Sequence, residues 1–99
     1  MAERKFEMKG RYLDILQFGK ELAKKAIPFE IVECWGGYKL SYPSGGNNVE
    51  VTVMQNDISI YGTKGRFELT VTGEPFRVVT PAEAEEIIVA LHRQYLAEL

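Results

Sequence analysis

The chain has 99 residues, 45% of them hydrophobic and 26% charged, with one cysteine, one histidine and a net charge of −2. Those proportions suit a single domain over residues 1–99 and exclude a disordered chain. One thiol and one imidazole exclude a disulfide within the chain, a zinc site built on several thiolates and any site needing two imidazoles.

The first helix is predicted from Arg11 to Ala26. Tyr12, Ile15, Leu16, Gly19, Leu22, Ala23 and Ala26 share one stripe at helical spacing, and Asp14, Gln17, Lys20, Glu21 and Lys24 fall opposite. Pro28 stops it, because proline disfavours helical angles at Ile27 and has no N–H.

Two β-rich runs follow, Phe29 to Trp35 and Tyr38 to Tyr42, with Gly36-Gly37 between them as a two-residue hairpin loop. That loop would set Trp35 opposite Tyr38, Glu33 opposite Leu40 and Ile31 opposite Tyr42. One face then carries Phe29, Ile31, Glu33, Trp35, Tyr38, Leu40 and Tyr42, and Glu33 is its only charged member. The other face carries Glu30, Val32, Cys34, Lys39 and Ser41.

After a loop at Pro43–Asn48, residues Val49 to Gln55 alternate as a strand. Asn56-Asp57 is expected to turn the chain back into a strand at Ile58–Tyr61, pairing Val53 with Ile60. A turn around Gly62–Gly65 leads to Arg66–Val71 with Phe67, Leu69 and Val71 inward. Phe76–Val79 is expected as a short last strand.

The closing helix carries its own start signal. Thr80 at the N-cap, Pro81 at the first helical position and Glu83 three residues after the cap form a capping box. Ala84, Ile87, Ile88, Leu91, Tyr95 and Leu99 make its inward stripe, and Val89, His92 and Leu96 form a second ridge beside it. The expected fold class is α+β: a helix, an antiparallel meander of five or six strands and a helix, with both helices on one face of the sheet.

Charge is uneven along the chain. Residues 1–28 hold seven basic and four acidic side chains, and the rest hold five basic and ten acidic. A basic first helix packed near an acidic second one accounts for this; a weak basic patch for an anionic partner is the sharper alternative. The longest apolar run, Ile87–Leu91, is far short of the roughly 20 residues a membrane span needs. The first residues have no apolar core of a secretory signal, so a cytoplasmic chain that does not enter the membrane is expected.

No arrangement points to catalysis. Cys34 and His92 are the sole thiol–imidazole pair and are expected on opposite sides of the sheet. Glu83, Glu85 and Glu86 are explained by the capping box and the helix dipole. Ser44–Asn48 joins two strands and lacks a phosphate-loop pattern. Trp35, Tyr38 and Tyr42 cluster around Lys39, but alternation puts Lys39 on the other face from the rings, so nucleic-acid stacking is not expected. No catalytic residue, metal site, cofactor or small-molecule ligand is therefore assigned. The preferred reading is a non-catalytic protein–protein interaction or regulatory module that self-associates as a homodimer. Its binding residues are Glu33, Trp35 and Tyr38, and its interface residues Val89, His92 and Leu96. One alternative is a small phage or mobile-element inhibitor that blocks a host protein's basic nucleic-acid-binding surface. Another is an enzyme with a carboxylate site, for which Glu33 in a cleft would speak.

Overall fold

A computed structural model describes residues 12–99. Helix α1 (Leu13–Lys24) is followed by strands β1 (Glu30–Cys34), β2 (Gly37–Tyr42), β3 (Val51–Gln55), β4 (Phe67–Val71) and β5 (Arg77–Val79), and then by helix α2 (Pro81–Ala97). The five strands form one antiparallel sheet in chain order, a meander. Alternation places Leu40, Tyr42, Val51, Val53, Phe67, Leu69 and Val79 on its inner face. Helix α1 packs over β2 and β3, α2 packs over β4 and β5, and the helices touch each other. Both therefore seal one side of the sheet, as the single apolar face per strand requires.

The α1 stripe is turned slightly from the predicted one. Tyr12, Ile15, Phe18, Gly19 and Leu22 are buried, and Ala23 and Ala26 are exposed. Phe18 draws the helix round, packing edge-on against Phe67 with ring centroids 5.3 Å apart. The helix also ends two residues before Ala26, and Arg11, its expected first residue, lies outside the described residues. Ala26 takes a left-handed φ of 59°. Its N–H donates to Ala23 O, and the Ile27 N–H donates to Leu22 O, both at 3.0 Å. This is a Schellman closure, with the buried Leu22 and Ile27 as its apolar pair.

The start of α1 has no side-chain cap of its own at Tyr12. The missing acceptor comes from the sheet. Gln55, fully buried at the end of β3, accepts the Ile15 N–H on Oε1 at 3.0 Å. Its Nε2 donates to Gly62 O at 2.8 Å and to Asp14 Oδ2 at 3.1 Å.

Two strand expectations are corrected. The hairpin loop is Trp35-Gly36, not Gly36-Gly37, so Glu33 faces Tyr38 and Ile31 faces Leu40. The physical reason is Gly37. A Cβ there would stand 2.2 Å from Gln55 O and 2.6 Å from Asn56 Cα, so Gly37 is needed for close approach of β2 to the end of β3. The shift is two residues, so the residues paired in β1 and β2 keep their expected faces, but Trp35, expected on the core face of the first strand, moves into the exposed turn.

Ile58–Tyr61 is not a strand, and Val53 pairs with Leu69 instead of Ile60. Asn56 Oδ1 accepts from the Ile58 and Ser59 N–H groups, and Ser59 Oγ donates back to Asn56 O. These local bonds offer the backbone an alternative to a ladder. The segment 56–66 becomes a compact loop with a short 3-10 turn at Gly62–Lys64, and β4 takes the place beside β3.

The α2 capping box forms as expected. Glu83 N donates to Thr80 Oγ1 at 3.1 Å, and Thr80 N donates to Glu83 Oε1 at 2.7 Å. The Thr80 backbone and hydroxyl bonds hold the Glu83 carboxyl below its usual pKa. Among the described residues, no helix is long and apolar enough to cross a membrane.

Replacing Gln55 by Leu takes the buried Ile15 N–H's acceptor away and leaves Gly62 O with the Gly65 N–H alone, and should cost about 1–3 kcal/mol of stability. Gln55→Glu can still accept from Ile15, but sets a carboxylate against Gly62 O and Asp14. It should be more damaging at neutral than at acid pH. Urea denaturation of both variants at two pH values checks this.

Candidate functional site

The β1–β2 turn is held from below and open above. Trp35 and Gly36 both have positive φ, 51° and 77°, which the tight hairpin turn demands. Trp35 O accepts the Asp57 N–H at 3.0 Å. Gly36 lies so close to Asp57 that a Cβ would stand 2.2 Å from its Oδ2. Asp57 Oδ1 in turn accepts from the phenol of the buried Tyr12 at 2.5 Å. The backbone of the tip is thus pinned to the 56–66 loop, and through Tyr12 to the residue that leads into α1.

The indole of Trp35 takes no part in this and is 66% exposed. Left-handed angles cost a non-glycine residue roughly 1–2 kcal/mol. Trp35 accepts that strain without burying its ring. Glu33 and Tyr38 stand directly across from each other beside the turn. Glu33 is exposed and its carboxylate has no hydrogen-bond partner among the described residues, whereas Tyr38 packs half-buried at the margin of the core. The structure therefore brings the three expected binding residues together at the tip. Asp57, which sequence reading did not single out, supports them.

The expected interface ridge divides. Val89 packs against the core. His92 is half-buried, with Nδ1 2.9 Å from the Tyr42 hydroxyl, and its ring stacks on Tyr95 at 6.1 Å. With Tyr42 as donor, Nδ1 is the acceptor and the proton sits on Nε2. Leu96 is 52% exposed and Leu99 is 85% exposed. Burial of the Tyr42 ring, then the nearby Glu50 and Tyr95, push its phenol pKa up.

No described helix lies on the outer face of the sheet, but the Gly45–Gly46 loop stands over its β1–β2 side, where Ser41 is buried. Register places Val32, Lys39, Met54, Glu68 and Val78 in one row across all five strands. Glu30, Ser41, Thr52 and Thr70 form the row beside it. Cys34 belongs to this face and His92 to the other side, so the thiol and the imidazole are kept apart by the sheet. Three other carboxylates have separate duties: Glu85 pairs with Lys25 at 3.2 Å, Glu83 caps α2, and Glu68 Oε2 accepts the Ile60 N–H at 2.7 Å.

Gln55 was the most consequential omission from the sequence reading. The alternation Val51, Val53, Gln55 already set a polar side chain on the inner face, where a buried amide must find partners. Comparison with protein-family models, with curated proteins and with solved structures finds no match to this chain.

Because the folded-state pKa of Tyr42 lies above its unfolded value of 10.0, its stabilising contribution is complete below about pH 10. It is lost as pH rises through the folded value. Tyr42→Phe should remove that alkaline decline, which urea midpoints taken from pH 8 to pH 11 would reveal as a flatter curve.

Proposed function

We propose that this chain is a non-catalytic protein-interaction or regulatory module of the cytoplasm that self-associates and presents its β1–β2 tip to a second protein. The observation that carries the reading is Trp35. A large aromatic side chain sits at a left-handed turn position, pinned by its backbone and two-thirds exposed. Asn would fit the turn better, and the core gains nothing from the indole. Residues that break a local structural rule without a structural return are expected at functional sites. Tryptophan is also among the side chains most often found to dominate binding energy. Glu33 beside it offers an acidic rim group, and the half-buried Tyr38 stiffens the base of the tip.

Trp35→Asn separates the two roles. The variant should be more stable than wild type by roughly 0.5–1.5 kcal/mol, from relief of the turn strain. Its capture of a protein partner from the native host's lysate should fall at least tenfold, in nuclease-treated samples as in untreated ones. Capture unchanged by the substitution, or capture abolished by nuclease, overturns the assignment of the tip.

A further inference from the structure

The row across the outer face is self-complementary. Read from the β1 edge it runs Val32, Lys39, Met54, Glu68, Val78, and the middle residue lies on the middle strand. A two-fold axis in the plane of a face-to-face contact, directed along β3, reverses this row in the second copy. Met54 then meets Met54 of the other copy, Lys39 meets Glu68, and Val32 meets Val78. In the neighbouring row Thr52 meets Thr52, while Ser41, itself buried, is left out of the contact. An axis turned by 90°, along the row itself, would set Lys39 on Lys39 and Glu68 on Glu68. Of these two axes, charge favours the one along β3.

We propose that the outer sheet face is the homodimer contact of this protein, two sheets packing face to face about an axis along β3. The inference rests on the self-associating part of the proposed function and names its surface.

Several features of the face fit a second copy. Val32 is 45% exposed and Val78 is 37% exposed, so the apolar ends of the row are open to a partner. Met54 at the centre is a flexible side chain that packs well against its own kind. Lys39 has no acidic partner among the described residues. The Glu68 carboxylate is already oriented by the Ile60 N–H, which leaves its second oxygen for a lysine. The Gly45–Gly46 segment borders a cavity of about 230 Å³ over Glu30 and Lys39, and Ile60 stands beside Glu68. They lie on opposite sides of β3, so the axis brings the Gly45–Gly46 loop of one copy and the Ile60 loop of the other to the same side of the contact, flanking the Lys39–Glu68 pair. Five strands at about 4.8 Å spacing and five residues at about 3.3 Å give on the order of 400 Å² of flat area per copy. That is about 800 Å² for the pair, below the roughly 1,200 Å² at which stable specific contacts begin, so the dimer should be weak and transient, micromolar or looser.

Charge exchange tests this arrangement, with sedimentation equilibrium up to millimolar protein as the measurement and circular dichroism as the check on folding. Lys39→Glu should weaken dimerisation at least tenfold, since it sets two carboxylate pairs in contact. Glu68→Lys should do the same with two ammonium pairs. Because Glu68→Lys also removes the bond to Ile60, Met54→Glu serves as a second disruptive variant. The double variant Lys39→Glu/Glu68→Lys should dimerise again, and an equimolar mixture of the two single variants should form a heterodimer. Folded single variants that dimerise like wild type overturn the proposal, as does failure of both the double variant and the mixture to recover. A dimer that ignores these substitutions but is broken by Leu96→Glu moves the contact to the α2 ridge, and self-association survives. A wild type that stays monomeric at millimolar concentration refutes self-association and this interface together.

Discussion

The amide of Gln55 is the joint on which the remaining structure turns. Its oxygen takes an N–H that the first turn of α1 cannot satisfy by itself, and its nitrogen holds the loop carbonyl of Gly62 and the carboxylate of Asp14. Helix α1, the end of β3 and the loop carbonyl of Gly62 meet at one buried side chain. A buried amide leaves no room for slippage, because each of its bonds is lost if any segment shifts. It fixes where α1 begins, how it sits on the sheet, and how the 56–66 loop folds under the hairpin.

From that joint the tip is built outward. The 56–66 loop, held by Gln55 at Gly62 and by Asn56 within itself, presents the Asp57 N–H to Trp35 O. Gly37 lets the hairpin lie close enough for that bond to form. Asn56 Nδ2 is buried in the same joint with no hydrogen-bond partner among the described residues. The exposed indole is thus carried on the best-braced part of the molecule, and a rigid mount reduces the entropy an anchor residue loses on binding.

Much of the fold could be read from the chain because separate signals agreed. Periodicity, Pro28 and the Thr80–Glu83 box each marked a helix boundary, and alternation sorted every residue of β1 to β4 onto its proper face. Where reading failed, a local competition was decided by tertiary contact. Two glycines in succession gave two possible hairpin loops, and the close approach of β3 decided between them. Asn56 and Ser59 turned an apolar run into a loop through side-chain bonds that composition does not display. The candidate site was half legible. Trp35, Glu33 and Tyr38 were picked out as neighbours, but the wrong loop put Trp35 in a strand, and only the turn geometry exposes its strain. Of the α2 ridge, His92 turned inward, where its ring pairs with the hydroxyl of the buried Tyr42. The self-complementary row was beyond sequence reading, since it depends on the register of all four strand pairs at once.

The position of Trp35 also decides what optical spectroscopy of this protein reports. It is the chain's one tryptophan, and it lies in solvent at the tip instead of in the core. Its emission in the native state should already be that of a hydrated indole, so denaturation changes it little. The five tyrosines and the far-ultraviolet signal follow unfolding better. The indole is instead a built-in reporter of contact, blue-shifting and escaping a soluble quencher only when another surface covers the tip.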